Sequence, residues 1–173
     1  MIQDISDHNW MLKQSLTNAF DAMIKHDLRF DALTLPHHLK PLLELAGRHP
    51  QLKMVVDHGS KPDINNRKFD GWAKDISLIA SETGAYCKLS GLVTEASSNW
   101  TTEDLQPYAD HLLNTFGPQR LIWGSDWPVC TLACSYERWI TTTETLLMDL
   151  TESEQKLIMG DNALRFYFGD GSD

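Results

Sequence analysis

A parallel α/β fold built from repeated strand–helix units is the class that this 173-residue chain predicts. Three observations carry it. Short apolar runs alternate with longer stretches of helical periodicity. The runs begin at residues 28, 53, 85 and 120, about 25 to 35 residues apart, which is the length of one strand plus one helix. Nothing between them is low-complexity, repeated or linker-like, so residues 1–173 read as one domain. Strands at that spacing are expected to lie parallel, joined by right-handed helical crossovers.

The elements follow in order. Leu12, Leu16, Phe20, Met23 and Ile24 mark the apolar face of a first helix. "LRFDAL" (28–33), "KMVVDH" (53–58), "AYCKLS" (85–90) and "RLIWGS" (120–125) read as strands, each short, partly β-branched or aromatic, and bounded by polar or turn-forming residues. Between them, Leu42, Leu43, Leu45 and Ala46 mark one helix, Trp72, Ile76, Ile79 and Ala80 a second, and Leu105, Tyr108, Ala109, Leu112, Leu113 and Phe116 a third. After the last strand, "SYERWITTTETLLMDL" (135–150) reads as a helix. A short helix opens at Ser153 with Gln155 and Lys156, and "DNALRFYF" (161–168) closes the chain. Two arrangements fit, an open doubly wound sheet or a (β/α)8 barrel. No GxGxxG or Walker-type loop follows any strand, which counts against a nucleotide-binding open sheet.

Composition narrows the class of function. A hydrophobic fraction of 42% and a charged fraction of 23% are those of a soluble globular domain. No apolar run approaches the length of a membrane span and no signal-type leader is present, so a cytoplasmic protein is expected. A net charge of −9 with scattered basic residues argues against a nucleic-acid partner. Cys87, Cys130 and Cys134 are an odd set without a CxxC pair, which suits free thiols in a reducing compartment.

In parallel α/β folds chemistry collects at the carboxyl ends of the strands. Here those ends hold Asp31, Asp57-His58, Lys88-Ser90 and Ser125-Asp126, four in succession carrying titratable or hydroxyl groups. Strand alternation lets only one of Asp57 and His58 face a barrel interior; His58 is the expected one, with Asp57 toward the helices. Asp31 reads as structural. Lys88 either snorkels to water or meets a substrate. His37 and His38 are adjacent and expected to diverge, and "GSKPDINNRKFDG" (59–71) reads as a polar loop over the site.

"VVDHGSKPDI" (55–64), "KLSGL" (88–92), "RLIWGSDWPV" (120–129) and "GDNALRFY" (160–167) together resemble the amidohydrolase-related family, in particular its branch of sugar-lactone and pyrone-dicarboxylate lactone hydrolases. The resemblance runs from Ile2-Gln3-Asp4 to Tyr167. It implies a (β/α)8 TIM-barrel framework and the opening of a sugar-acid lactone or related cyclic ester. Asp126 of "GSDWP" would be the general base toward water, and His58 would polarise the carbonyl. Lys88, Lys61 and Trp127 would contact the substrate. The cofactor is left open; a divalent metal such as zinc would draw on His58 and Asp126.

Family members begin with a strand bearing an HxH pair, and no HxH occurs in this sequence. The chain therefore maps onto the carboxyl-terminal part of a barrel. A partial barrel exposes two strand edges and an uncovered inward face, at about 25 cal/mol for each Å² of apolar surface left in water. A truncated reading frame, pairing with a second copy or a complementing chain, and poor folding alone are the expected alternatives. Two other readings compete with a lactonase: a serine hydrolase built on Ser125 and His58, which lacks the GxSxG elbow, and a catalytically inactive remnant acting as an interaction subunit.

Overall fold

Among the described residues, four short strands form one all-parallel sheet in the order β1-β2-β3-β4: β1 Phe30–Leu33, β2 Met54–Asp57, β3 Tyr86–Leu89 and β4 Leu121–Trp123. The computed structural model describes residues 6–169; Ile2-Gln3-Asp4 lie outside the described residues. The helices are α1 Thr17–Lys25, α2 Leu39–Arg48, α3 Asp70–Glu82, α4 Leu92–Glu95, α5 Thr102–Phe116, α6 Tyr136–Leu146, α7 Glu152–Lys156 and α8 Asn162–Phe168. A doubly wound sheet reverses its strand order at a switch point. This sheet does not: sequence neighbours are spatial neighbours throughout, as in consecutive staves of a barrel. The chain is a partial (β/α)8 barrel.

The two faces of the sheet are sorted by the alternation of side chains. Ala32, Met54, Val56, Cys87, Leu89 and Leu121 point outward into one large core with the helices. α5 shows why the helical periodicity works: Leu105, Tyr108, Ala109, Leu112 and Phe116, spaced three and four apart, are all buried. The inward face carries Val55, Tyr86 and Ile122 in a second, smaller cluster with Phe166 and Tyr167 of α8. The C-terminal helix thus covers part of the face that the sequence suggests is open. It is tied there by Asn162, fully buried, whose Nδ2 donates to the carbonyls of Pro118 and Leu121 at 2.7 Å each. Arg29 Nε also donates to the Phe166 carbonyl at 2.7 Å.

Several expected boundaries move. Residues 10–16 form two 3-10 turns rather than the first turns of a helix, because Lys13 between them is extended at ψ 132°. The closing helices are one continuous run through a π-turn at Leu157–Asp161, capped by Thr151 and not Ser153; the Thr151 side chain accepts from the Glu154 amide. β2 is one residue shorter at each end than expected; at its carboxyl end His58 leaves the strand with φ +52°. His37 and His38 do not diverge: their ring centroids lie 4.0 Å apart, with His8 stacked 4.0 Å from His37. The 3-10 turn at Pro36–His38 folds both rings to one side, and the Leu35 amide donates to His38 Nδ1.

Candidate active site

The site begins where β2 stops. His58, Gly59, Ser60 and Lys61 take φ of +52°, +54°, +61° and +51°, a left-handed turn in which only one residue is glycine. Each of the other three costs about 1–2 kcal/mol in that conformation. Buried contacts hold the turn: Trp72 Nε1 donates to the Gly59 carbonyl at 2.7 Å, and Ser60 Oγ meets Thr34 Oγ1 at 2.8 Å. A second left-handed residue, Asp126 at φ +54°, follows β4. Asp27 and Arg67 are also left-handed, but the run at 58–61 and Asp126 follow two strand ends directly, and strained backbone held there by its surroundings is the pattern of a site.

These turns bring His58 and Asp126 together. His58 Nε2 lies 3.5 Å from Asp126 Oδ1, with side-chain exposures of 15% and 11%. The other ring nitrogen, Nδ1, is 2.8 Å from Ser90 Oγ. Behind the ring, Gly91 sits at φ +66°, and a Cβ there would fall 2.7 Å from His58 Cγ and Nδ1. Glycine is required on both counts.

Asp57 is not directed at the helices. Val56 faces the outer core, so strand alternation turns Asp57 inward. His58 then leaves the strand, and its left-handed turn brings the ring back to the same side. Asp57 Oδ2 is 3.6 Å from His58 Nε2, and Asp57 Oδ1 is 3.1 Å from Lys88 Nζ. Lys88 does not snorkel to water. Its ammonium is held inward by Asp31 Oδ2 at 2.7 Å, and that oxygen also accepts from Tyr167 Oη at 2.8 Å. Lys61 Nζ pairs with Glu95 Oε1 at 2.5 Å. Trp127, next to Asp126 in the chain, is 67% exposed.

The electrostatics follow from this packing. Burial pushes the Asp126 carboxyl above the usual carboxylate range; the positive groups at His58 and Lys61 pull it down, the negative charges of Asp57 and Glu95 add to the rise, and the net direction is upward. Burial works against the Lys88 charge, but the hydrogen bond to Asp31 and the field of Asp57 outweigh it and raise its pKa. Burial and the bond to Asp31 push the Tyr167 phenol up to about 12. A proton acceptor, a ring N–H or imidazolium, and an ammonium therefore share one face, which is what water attack on an ester carbonyl requires.

A cavity of about 780 Å³ opens beside this cluster, with Lys61, Glu95, His37, Arg67 and Trp72 among its lining residues. His58 and Asp126 do not line it. Lys61 and Glu95 line the cavity and their charges also act on Asp126, so the cavity flanks the site and is not its centre. Sequence reasoning passed over Glu95 and Tyr167. Glu95 lies in a four-residue helix with no periodic signature, and Tyr167 in a helix distant in sequence from every strand end.

The fold and the site define a barrel-type α/β protein with a cluster of titratable side chains at the carboxyl ends of its strands. Comparison with known proteins makes this specific. The family model described as amidohydrolase matches residues 3–169, and the chain belongs to the amidohydrolase family. It is 40% identical over 171 residues to an L-fucono-1,5-lactonase of Burkholderia ambifaria, covering 96% of this chain and 59% of that one. It is 33% identical to an L-fucono-1,5-lactonase of Burkholderia multivorans, covering 82% of this chain and 52% of the relative. A crystal structure of an amidohydrolase from Burkholderia multivorans with bound zinc superposes with a TM-score of 0.88 at 32% identity, covering 95% of this chain and 61% of that one. The chain thus spans between half and two thirds of the length of these relatives.

The zinc in that relative invites a test of fit. Among the described residues no group of three or more His, Cys, Asp or Glu side chains is arranged to hold an ion. His58 and Asp126 are two donors where a catalytic zinc has three protein ligands. The described residues do not make a complete zinc site.

Proposed function

We propose that this chain is a lactone hydrolase acting on a sugar-acid lactone, with Asp126 as general base. The observation that carries the reading is the 3.5 Å approach of Asp126 Oδ1 to His58 Nε2 in a half-closed polar cluster. Water attacks the lactone carbonyl as Asp126 takes its proton. His58 and the Lys88 N–H left over from Asp31 and Asp57 face the oxygen that gains charge. The intermediate collapses, the ring C–O bond breaks, and the proton on Asp126 passes to the leaving alkoxide. Trp127 offers an exposed aromatic face to the sugar ring, and Lys61 a second cation at the rim.

The relatives' L-fucono-1,5-lactonase activity supports a six-membered sugar lactone as the substrate. The three free thiols suit the reducing cytoplasm. Each of β1 and β4 has one strand neighbour among the described residues, so the reading also calls for a second copy or a complementing chain along those edges.

The test is hydrolysis of L-fucono-1,5-lactone and other sugar-acid 1,5-lactones by the purified chain, followed by acid release. Asp126→Asn is expected to lower the rate by about 10²–10⁴-fold. An unaltered rate in that variant would remove Asp126 as base. Failure to open any lactone would favour the inactive-remnant reading.

A further inference from the structure

The polar groups on the inward face form one connected chain that ends on the C-terminal helix. Tyr167 Oη and Lys88 Nζ converge on the same oxygen, Asp31 Oδ2, at 2.8 and 2.7 Å. Lys88 Nζ reaches on to Asp57 Oδ1 at 3.1 Å, and Asp57 Oδ2 to His58 Nε2 at 3.6 Å. His58 Nε2 then stands almost midway between two carboxylates, Asp57 at 3.6 Å and Asp126 at 3.5 Å.

Position follows from charge in such a chain. A lysine ammonium on a flexible stem is drawn to whichever carboxylate carries more unshared charge. The phenol of Tyr167 donates into the Asp31 oxygen that holds Lys88 and so weakens its pull. The ammonium stays shared with Asp57. Asp57 in turn keeps its second oxygen on the imidazole and competes with Asp126 for it. Without the phenol, Asp31 would draw Lys88 away and Asp57 would lose its counter-ion. Tyr167 is itself fixed, since Asn162 and Arg29 anchor α8 at both ends.

We propose that Tyr167 and Asp31 are positioning residues of the site, holding the Lys88 ammonium between Asp31 and Asp57 so that His58 is shared and Asp126 is left available to water. This deepens the lactonase reading and rests on it for the role of Asp126. The C-terminal helix is then part of the reaction's machinery and not only a cover for Val55 and Ile122.

Two measurements on the full chain test it. In steady-state lactone hydrolysis, Tyr167→Phe is expected to lower kcat about tenfold, the scale of one hydrogen bond to a charged group, with KM unchanged within about twofold. Asp31→Asn should do the same. Tyr86→Phe, which removes a phenol from the same face outside this chain of contacts, should leave both constants unaltered. Independently of activity, the slowly exchanging 15N ammonium signal of Lys88, assigned by its loss in Lys88→Met, should shift and exchange at least about tenfold faster in Tyr167→Phe.

An unchanged ammonium signal in Tyr167→Phe overturns the network whatever the kinetics. A loss of kcat matched by Tyr86→Phe overturns the positioning role, because a general loosening of the face would explain it. A wild-type chain that opens no lactone while its ammonium signal responds overturns the lactonase reading and the positioning role of Tyr167 in it, and upholds only the network.

Discussion

Gly91→Ala isolates the geometry around His58. The added Cβ would lie 2.7 Å from His58 Cγ and Nδ1 and 2.9 Å from His58 Cβ, at a backbone φ of +66°. An L-residue at that φ costs about 1–2 kcal/mol. Relieving the overlap requires the imidazole to move by about 0.7 Å to an ordinary contact near 3.4 Å, and overpacking of this kind costs about 1–3 kcal/mol more. The ring cannot yield freely, because Ser90 Oγ holds Nδ1 at 2.8 Å and Asp57 and Asp126 flank Nε2. The sum, about 2–5 kcal/mol, corresponds to a thermal midpoint lower by roughly 5–15 °C. Displacement of a positioned group by most of an ångström is expected to cost about 10²-fold in kcat. Urea denaturation gives the first quantity and lactone hydrolysis the second. Gly47→Ala is the control: nothing lies within 4 Å of its added Cβ, and replacing a helical glycine should stabilise by about 0.5–1 kcal/mol. A Gly91→Ala variant with wild-type stability and rate would refute the claim that His58 is sterically set by this turn.

The other predictions concern charge and the rim. The Asp126 carboxyl is raised mainly by burial, so hydrolysis should fall as pH drops through a midpoint above the usual carboxylate range, and a pH–rate profile checks it. A carboxyl whose folded pKa is raised contributes stability that is fully present below its unfolded pKa and lost as pH rises through the folded value. Asp126→Asn should therefore be more stable than wild type at neutral pH, by thermal denaturation, while losing activity. Lys88→Met leaves Asp31 and Asp57 without their shared cation; because these groups are only partly buried, the expected loss is about 1–3 kcal/mol by urea denaturation. Trp127→Ala removes a side chain that is 67% exposed and should raise KM while the thermal midpoint stays unchanged.

The relation between sequence and structure is clearest at β2. The run "KMVVDH" gives a strand by its β-branched centre, and Met54–Asp57 is one. Strand alternation predicts that Asp57 and His58 face opposite ways; both face inward, because the alternation ends where His58 adopts φ +52°. A left-handed turn at three non-glycine residues has no local signature. It is imposed by Trp72, Thr34 and Leu112, which come from other units of the fold. Asp31 shows a second effect of sequence distance. Its structural reading was reasonable in isolation; its place between Lys88 and Tyr167 depends on residues 57 and 136 positions away.

Composition, periodicity and strand spacing by themselves determined the parallel strand–helix architecture, the outward core faces and the collection of polar groups at the strands' carboxyl ends. These are local quantities, set by side-chain period and element length. Only the tertiary structure decided that the strands run in unbroken sequential order, that α8 folds over the inward face, and that Asp57, Lys88 and Tyr167 join His58 and Asp126 in one cluster. Those facts depend on which distant segments meet, and burial and charge pairing act between such segments only once they have met.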